Sequence, residues 1–376
     1  MNDFTASRIR RGRDGLISHA DQALDALDMF GEVSTRLRAL VPFDASVWRA
    51  TDPLTGLMTA PVRIENLQEG GSATYWDNEL LAENINLFSD LARATVPAAA
   101  LRESTGDMPE RSPLYRGYLR PRGLGDELRA VLRVGGRPWG HISLFREEGR
   151  PSFTASEITL VAGLSLPLAR RLRSFARPSA GPDTTTASGP GLLLFDSAGA
   201  LISVNDDARR HLDDLPSGPS SPTPLGIRLP AWIHGMAVGA RAKAEAGVEG
   251  GAEVRIRDQA GRWLVCRASC MRGAGGSFGH TALVIEPATS VQVGLLTAEA
   301  CGLSERELEI TQAVARGLTT GEIAQNLFIS VHTVRDHLKA IFRKAGVSSR
   351  GELIATLFAD HYQPAVAGGL YRTSDR

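Results

Sequence analysis

Cysteine is nearly absent: Cys266, Cys270 and Cys301 are the three in 376 residues. So few, and an odd number, exclude a disulfide framework and suit a reducing compartment. Long apolar runs are missing too. The longest candidate, ITLVAGLSLPLA from Ile158, lies between Glu157 and Arg170 and is far shorter than the roughly 20 residues of a membrane-spanning helix. Arg8, Arg10, Arg11 and Arg13 are followed by no apolar segment before Asp21, so no secretory signal is expected. Nor is there an excess of either charge. With 42 basic and 42 acidic side chains, affinity for nucleic acid spread over the whole surface is excluded and any such affinity must be local. The expected location is cytoplasmic, with no membrane partner.

Chemistry-bearing constellations are equally scarce. No GxxxxGK[ST] phosphate loop occurs, and the GLSLP text around Ser165 is not a GxSxG elbow. Cys266 and Cys270 are four apart in an expected strand, too separated for an ordinary zinc clip, and burial is their better reading. His332 and His337 fall on different faces of one helix. His141 could ligate haem, although an ordinary structural histidine is the stronger reading. The expectation is therefore a protein that is not an enzyme, with no catalytic residues, no metal and no cofactor.

What is present begins with the length, which exceeds one ordinary core and implies two or three domains. From Ser18 to Leu40 the apolar positions Ala23, Leu24, Leu27, Phe30, Val33, Leu37 and Leu40 keep a helical period. ASVWRATDPLTGLMTAPVRI then reads as two strands joined at DPLTG, and a helix follows over about Thr74 to Arg93. DELRAVLRV and PWGHISLFRE flank a GGR turn as a hairpin would, and Thr154 with Glu157 starts a closing helix to about Phe175, kinked at Pro167. This order predicts an α+β module with an antiparallel sheet over residues 16–176. Trp48, Tyr75, Trp76 and Trp139 are its candidate ligand-pocket residues, with Phe88, Tyr115 and Tyr118 as further aromatics, core packing being the ordinary alternative.

Residues 177–190, RPSAGPDTTTASGP within a Pro/Gly/Ser/Thr-rich stretch, read as an exposed linker. Beyond it GLLLFDSAGALISVN and VRIRDQAGRWLVCRASC are each strand, turn and strand, and TALVIEP is a last strand. Between them lie the helical piece NDDARRHL, a loop expected to be mobile, PSGPSSPTP, and a helix over about Ala231 to Ala246. A second α+β module over residues 191–290 is expected.

The densest signals sit in residues 297–362, before a flexible tail at 363–376. Ser304 with Glu307, Thr319 with Glu322 and Ser349 with Glu352 fit capping boxes, and Ser330 is a fourth N-cap. Each cap contributes about 1 kcal/mol. Leu308, Val314 and Ala315, then Ile323, Ala324 and Leu327, then Val334, Leu338 and Ile341 form three stripes that can bury one another. The other face of the third helix carries His332, Arg335, Asp336, Lys339 and Arg343 at spacings of three and four. On any single amphipathic helix such charges are more often a solvated face. Here Arg335, Lys339, Arg343, Lys344 and Arg350 stand against the one acid Asp336, the local basic footprint of a groove-reading helix.

Three motifs, LSxRExE from Leu303, GLxxxEIAxxLxIS from Gly317 and TVxxHLxxIxxKxGVxSR from Thr333, make this segment resemble the helix-turn-helix domain of the LuxR family of bacterial transcriptional regulators along its whole length. The resemblance implies an all-α four-helix domain, a recognition helix from about Val331 to Ala345, and a preceding helix from about Thr320 to Phe328 that crosses the DNA backbone. Thr319, Ser330, His332, Thr333, Arg335, Asp336, Lys339, Arg343 and Lys344 are the implied DNA-binding residues. The pattern is broken at Thr311 and Ala345, where Leu is usual, and at Thr320-Gly321, where Asn-Lys is common. The layout ending in FTASEITLVAGL resembles a GAF domain, and LLLFDSAGALISVNDDARRHL resembles the start of a PAS-like fold without the Cys-centred motif of flavin photosensors.

The expected whole is multidomain: GAF-like and PAS-like sensory domains before a LuxR-type DNA-binding domain, controlling transcription in response to an unidentified signal. Double-stranded DNA, a small-molecule effector, RNA polymerase and a second copy of the chain are the expected partners. Leu353, Ile354, Leu357 and Phe358 of the last helix are the expected dimerisation residues, because their two apolar pairs exceed one packing stripe. The alternative is a sensor acting through protein partners with little DNA binding of its own.

Overall fold

The computed structural model describes residues 3–67, 72–80, 84–177, 189–273 and 278–359. The chain divides into two compact units, Met1–Pro287 and Ala288–Arg376. The larger unit opens with helices α1 (Asp3–Gln22) and α2 (Ala26–Leu37), the break between them falling where Asp25 caps α2 by accepting from the Asp28 amide. Strands β1 (Ala45–Thr51) and β2 (Met58–Glu65) follow. The helix expected over 74–93 is instead α3 (Ser72–Leu80) and a single turn α4 (Phe88–Leu91). Asn86 between them is left-handed, and the Glu79 carboxylate accepts the Phe88 amide at 2.9 Å, so a side chain of α3 caps α4.

A strand not foreseen, β3 (Ala98–Ala100), and the short helix α5 (Leu101–Thr105) precede β4 (Leu124–Val134) and β5 (Arg137–Glu147). Gly135 and Gly136 both take positive φ in the β4–β5 turn, the geometry a two-residue hairpin requires. Helix α6 (Ala155–Phe175) has the expected capping box of Thr154 and Glu157 and continues through Pro167. The antiparallel sheet runs β2-β1-β5-β4-β3. Helices α6 and α2 pack on one face of it; α4 packs against β4, and α3 packs on later residues. β1 is therefore buried on both sides: Trp48 packs against Phe30 of α2, and Arg49 lies on the other face.

The second sheet is built from β6 (Gly191–Phe195), β7 (Leu201–Val204), β10 (Ala252–Arg257), β11 (Trp263–Arg272) and β12 (Phe278–Pro287). Its order, β7-β6-β12-β11-β10, repeats the pattern of the first sheet: second, first, fifth, fourth, third. Helices α7 (Asp206–Asp214) and α8 (Ala231–Glu245) connect its halves. The stretch expected to be a mobile loop instead holds β8 (Ser220–Pro222), paired with β9 (Arg228–Pro230).

The two sheets share one hydrophobic core, in which Tyr75, Trp76 and Tyr118 join Trp232, Met236 and Ile285. Helix α8 packs on α3 and β2, and a side chain at Gly235 would meet the Trp76 ring at 3.3 Å, so glycine allows the close approach. Most of the expected linker, residues 178–188, and the tail at 363–376 lie outside the described residues.

The smaller unit contains α9 (Ser290–Ala300), α10 (Glu305–Ala315), α11 (Thr320–Asn326), α12 (Val331–Ala345) and α13 (Arg350–Ile354). Ile310, Val314, Ile323, Val334, Ile341 and Leu353 form its core. The fold is thus multidomain, mixed α/β sheets followed by a helical C-terminal region.

Candidate functional site

Helices α11 and α12 are packed together and joined by the turn Leu327–Ser330, a helix-turn-helix. Helix α12 occupies Val331–Ala345, the span expected of the recognition helix, whereas α11 ends at Asn326 because Phe328 turns left-handed. Ser330 begins α12 by accepting the Thr333 amide at 3.0 Å, and Gly346 ends it at φ 72°, where a side chain would be strained. The expected boxes at Ser304–Glu307 and Thr319–Glu322 are complete. That at Ser349 is half made. Ser349 accepts the Glu352 amide, but the Glu352 carboxylate turns to the amide and hydroxyl of Ser348, which stands one residue nearer the loop.

Val334, Leu338 and Ile341 are buried, which leaves His332, Arg335, Asp336, Lys339 and Arg343 exposed on the opposite face of α12. Asp336 pairs with His332 at 3.0 Å and Lys339 at 3.5 Å. Arg335 and Arg343 have no hydrogen-bond or ion-pair partner among the described residues. Thr319 and Ser330 are engaged as caps, and Thr333 lies within 2.8 Å of the Ser330 hydroxyl. Lys344 is otherwise occupied: its ammonium donates to Glu307 at 2.5 Å and ties α12 to the start of α10. Burial pulls the Glu307 carboxyl upward, but the hydrogen bonds from Lys344 and Ser304 prevail and hold it below the ordinary value.

Two further braces have no signature in the spacing. Arg306 of α10 donates to the Leu327 carbonyl at 2.6 Å, where α11 ends. Arg350 donates to the Leu318 carbonyl at 2.9 Å and the Thr320 hydroxyl at 2.8 Å, at the start of α11. Arg306 stands in the sequence as a motif position and Arg350 as part of the basic footprint; their bracing role is not legible there, since packing alone brings their acceptors near. Two departures from the family pattern are absorbed in the same way. Thr320 receives Arg350, and buried Thr311 donates back to the Glu307 carbonyl at 2.7 Å.

Leu353 and Leu357, expected at a dimer surface, are buried in the core of their own unit, while Ile354 is exposed. The Phe358 side chain lies outside the described residues.

In the larger unit a cavity of about 380 Å³ opens against the first sheet. Tyr75 and Trp76 line it with Val47, Arg49, Met58 and Tyr118, and β8–β9 adds Ser220, Ser221 and Arg228. Trp48 and Trp139, the other two expected pocket residues, are buried without lining it; Trp48 points to the opposite face of β1, as strand alternation requires. His141 is buried and stacked on Phe88 at 4.2 Å, with Nδ1 lacking a partner. Burial, reinforced by Arg49 and Arg129, drives its pKa well below the ordinary imidazole value. Among the described residues no three His, Cys, Asp or Glu side chains converge as a metal site, and no helix is long and apolar enough to cross a membrane.

A family profile described as "Bacterial regulatory proteins, luxR family" matches residues 302–357. The Oxygen regulatory protein NreC of Staphylococcus aureus is 48% identical over 52 residues, which are 14% of this chain and 24% of that protein. The chain thus matches about a quarter of the length of such curated relatives. Among solved structures, Escherichia coli SdiA aligns over 92% of this chain and 96% of its own at 14% identity and a TM-score of 0.35. The GAF domain of a phosphoenolpyruvate-protein phosphotransferase from Coxiella burnetii aligns over 44% of this chain and 94% of its own, at 15% identity and a TM-score of 0.30.

Proposed function

Because residues 302–357 are a LuxR-family domain, we propose that the chain is a sequence-specific DNA-binding transcriptional regulator whose two sheet-containing modules control that domain in response to a small molecule. The observation that carries the DNA reading is the exposed face of α12, where Arg335 and Arg343 are unpaired and Lys339 is held only by an exposed acid. A helix with this face fits the major groove, Arg335 and Lys339 facing base edges and Arg343 a phosphate. His332, Thr333 and Asp336 belong to the same face. Thr319 and Ser330 contribute at the helix starts, and Lys344 holds α12 in position.

Two copies reading half-sites about one helical turn apart would double a contact that one balanced domain makes weakly. With Leu353 and Leu357 buried, the exposed Ile354 is the described apolar residue of α13 left for such pairing. RNA polymerase would be met from the DNA-bound state.

The test is selection of genomic fragments by the purified full chain, followed by fluorescence anisotropy on the enriched sequence. Enrichment of one sequence class with salt-sensitive binding is expected. If no fragment is enriched over bulk DNA, with or without added effector candidates, the regulator reading fails, and a sensor acting through protein partners takes its place.

A further inference from the structure

Among the described residues, the cavity in the larger unit is walled by two guanidinium groups and no carboxylate. Its floor holds Arg49, which is 2% exposed. Nη2 of Arg49 donates to the Ser143 hydroxyl at 2.8 Å and the Tyr75 hydroxyl at 3.1 Å, both neutral acceptors. Among the described residues its Nε is buried without an acceptor, and its Nη1 makes no hydrogen bond. Phe88 lies on one side of the guanidinium at 4.8 Å and the rings of Tyr75 and Trp76 lie at 5.1 and 5.4 Å, which fixes the plane of the group.

The neighbouring cation is a buried arginine with carboxylate partners. Arg129 pairs with Glu79 at 2.6 Å and Glu127 at 3.0 Å, and it also donates to the Tyr75 hydroxyl at 3.2 Å. The triad of Arg129 with two glutamates carries one negative charge when ionised, which balances Arg49 across the Tyr75 hydroxyl. That balance accommodates Arg49 in the interior, yet each acid turns an oxygen to Arg129, and the other oxygen of Glu79 accepts the Phe88 amide. Among the described residues Arg49 has hydroxyl acceptors but no carboxylate partner.

At the rim Arg228 donates to the carbonyl and hydroxyl of Ser220, at 2.7 and 2.9 Å, and has no acidic partner among the described residues. Much of the rest of the wall is apolar, chiefly Val47, Met58, Val62, Trp76 and Phe145, with the hydroxyls of Tyr75, Ser220 and Ser221 among them.

We propose that this cavity binds a small molecule with a single carboxylate head and an apolar body, the head seated on Arg49 and the body against the first sheet beneath the β8–β9 hairpin. One buried guanidinium matches a monoanion; a phosphate dianion would require more positive charge at the floor. Tyr75, whose hydroxyl oxygen accepts from two arginines and lies 3.4 Å from the Ser143 hydroxyl, keeps its proton because burial raises the phenol pKa, and a carboxylate head would take that proton's hydrogen bond. The hairpin belongs to the second sheet module, so a bound molecule joins the two modules of the larger unit. This rests on the small-molecule reading above.

Titration calorimetry of the full chain with phenylacetate, decanoate, their amides, hexyl phosphate and inorganic phosphate tests it. At least one carboxylate should bind about tenfold or more tightly than its amide and than either phosphate compound. Arg49→Gln should abolish that preference. The exposed Arg228→Gln, which cannot unfold the core, should weaken carboxylate binding a few-fold. Equal binding of acid and amide, tighter binding of hexyl phosphate, or no binding by any compound overturns the proposal. A carboxylate that binds through Arg49 yet leaves DNA binding unchanged would instead sink the regulatory reading and leave the cavity assignment standing.

Discussion

Asp52 and Arg255 are 203 residues apart in the chain and bonded twice: the Asp52 carboxylate accepts the Arg255 amide at 2.9 Å and its guanidinium at 2.8 Å. The Asp52 side chain is fully buried, and a third bond from the Leu54 amide holds it in its turn. Asp52 belongs to the β1–β2 turn and Arg255 to β10, so the pair clamps the two sheet modules together.

Asp52→Ala should therefore destabilise the larger unit by about 1.5–3 kcal/mol, since it removes the charged acceptor shared by the Arg255 amide and guanidinium, the latter keeping Glu253. Urea unfolding followed by the fluorescence of Trp48 and Trp232 measures the loss. A change under about 1 kcal/mol would mean that the clamp contributes no more than a surface pair.

On α12, Arg335→Ala or Lys339→Ala should weaken specific DNA binding by roughly 1–3 kcal/mol with the thermal midpoint preserved. Arg343→Ala should weaken binding to all sequences alike and reduce the salt dependence by about one counterion. Anisotropy titrations at several salt concentrations separate these outcomes, and wild-type affinity in all three variants would remove α12 from the interface.

Lys344→Ala is expected to behave differently. It removes the bond from α12 to Glu307 and should lower the stability of the smaller unit more than it alters specificity. A specific affinity that falls without any loss of thermal stability would return Lys344 to the DNA contacts.

The same pair predicts a pH dependence. The Glu307 carboxyl is held below its ordinary value, so its contribution to stability is complete above the unfolded carboxylate pKa and is lost as pH falls through the folded one. The stability gap between wild type and Glu307→Gln should thus be largest at neutral pH and close in acid. A gap that is constant with pH would show that the carboxylate charge contributes nothing.

His141 predicts a loss that begins at higher pH. Its folded pKa is depressed, so the unfolded chain takes up the proton first and stability falls as pH drops below the ordinary imidazole value. His141→Gln keeps a polar side chain beside Phe88 and removes that proton uptake. Denaturant midpoints of the two proteins should therefore converge between neutral and mildly acidic pH, and parallel profiles would count against a neutral buried imidazole.

Much of the smaller unit was legible because its signals are local. Ser304, Thr319 and Ser330 each act on an amide three residues away, and the stripe of Val334, Leu338 and Ile341 needs only the helical period. The same locality misled at Ser349, where the adjacent Ser348 takes the carboxylate of Glu352. It misled again at Leu353 and Leu357, because an apolar pair at helical spacing looks alike whether it faces its own core or a partner.

In the larger unit, alternation and turn residues located most strands, but aromatic residues alone did not locate the cavity. Tyr75 and Trp76 line it while Trp48 and Trp139 do not, and its most telling residue, Arg49, read as one strand charge among many.

The sequence by itself determined where most helices and strands begin, that a helix over Val331–Ala345 carries a basic face, and which face that is, because these depend on neighbours three or four residues apart. Tertiary structure alone decided that Lys344 is taken by Glu307, that Arg129 pairs with both acids of its cluster, and that Arg49 faces a cavity with no acid among the described residues. The partners in those choices are 37 and 50 residues apart in the first two cases, and low-dielectric burial makes such pairings matter without leaving any periodic trace in the chain.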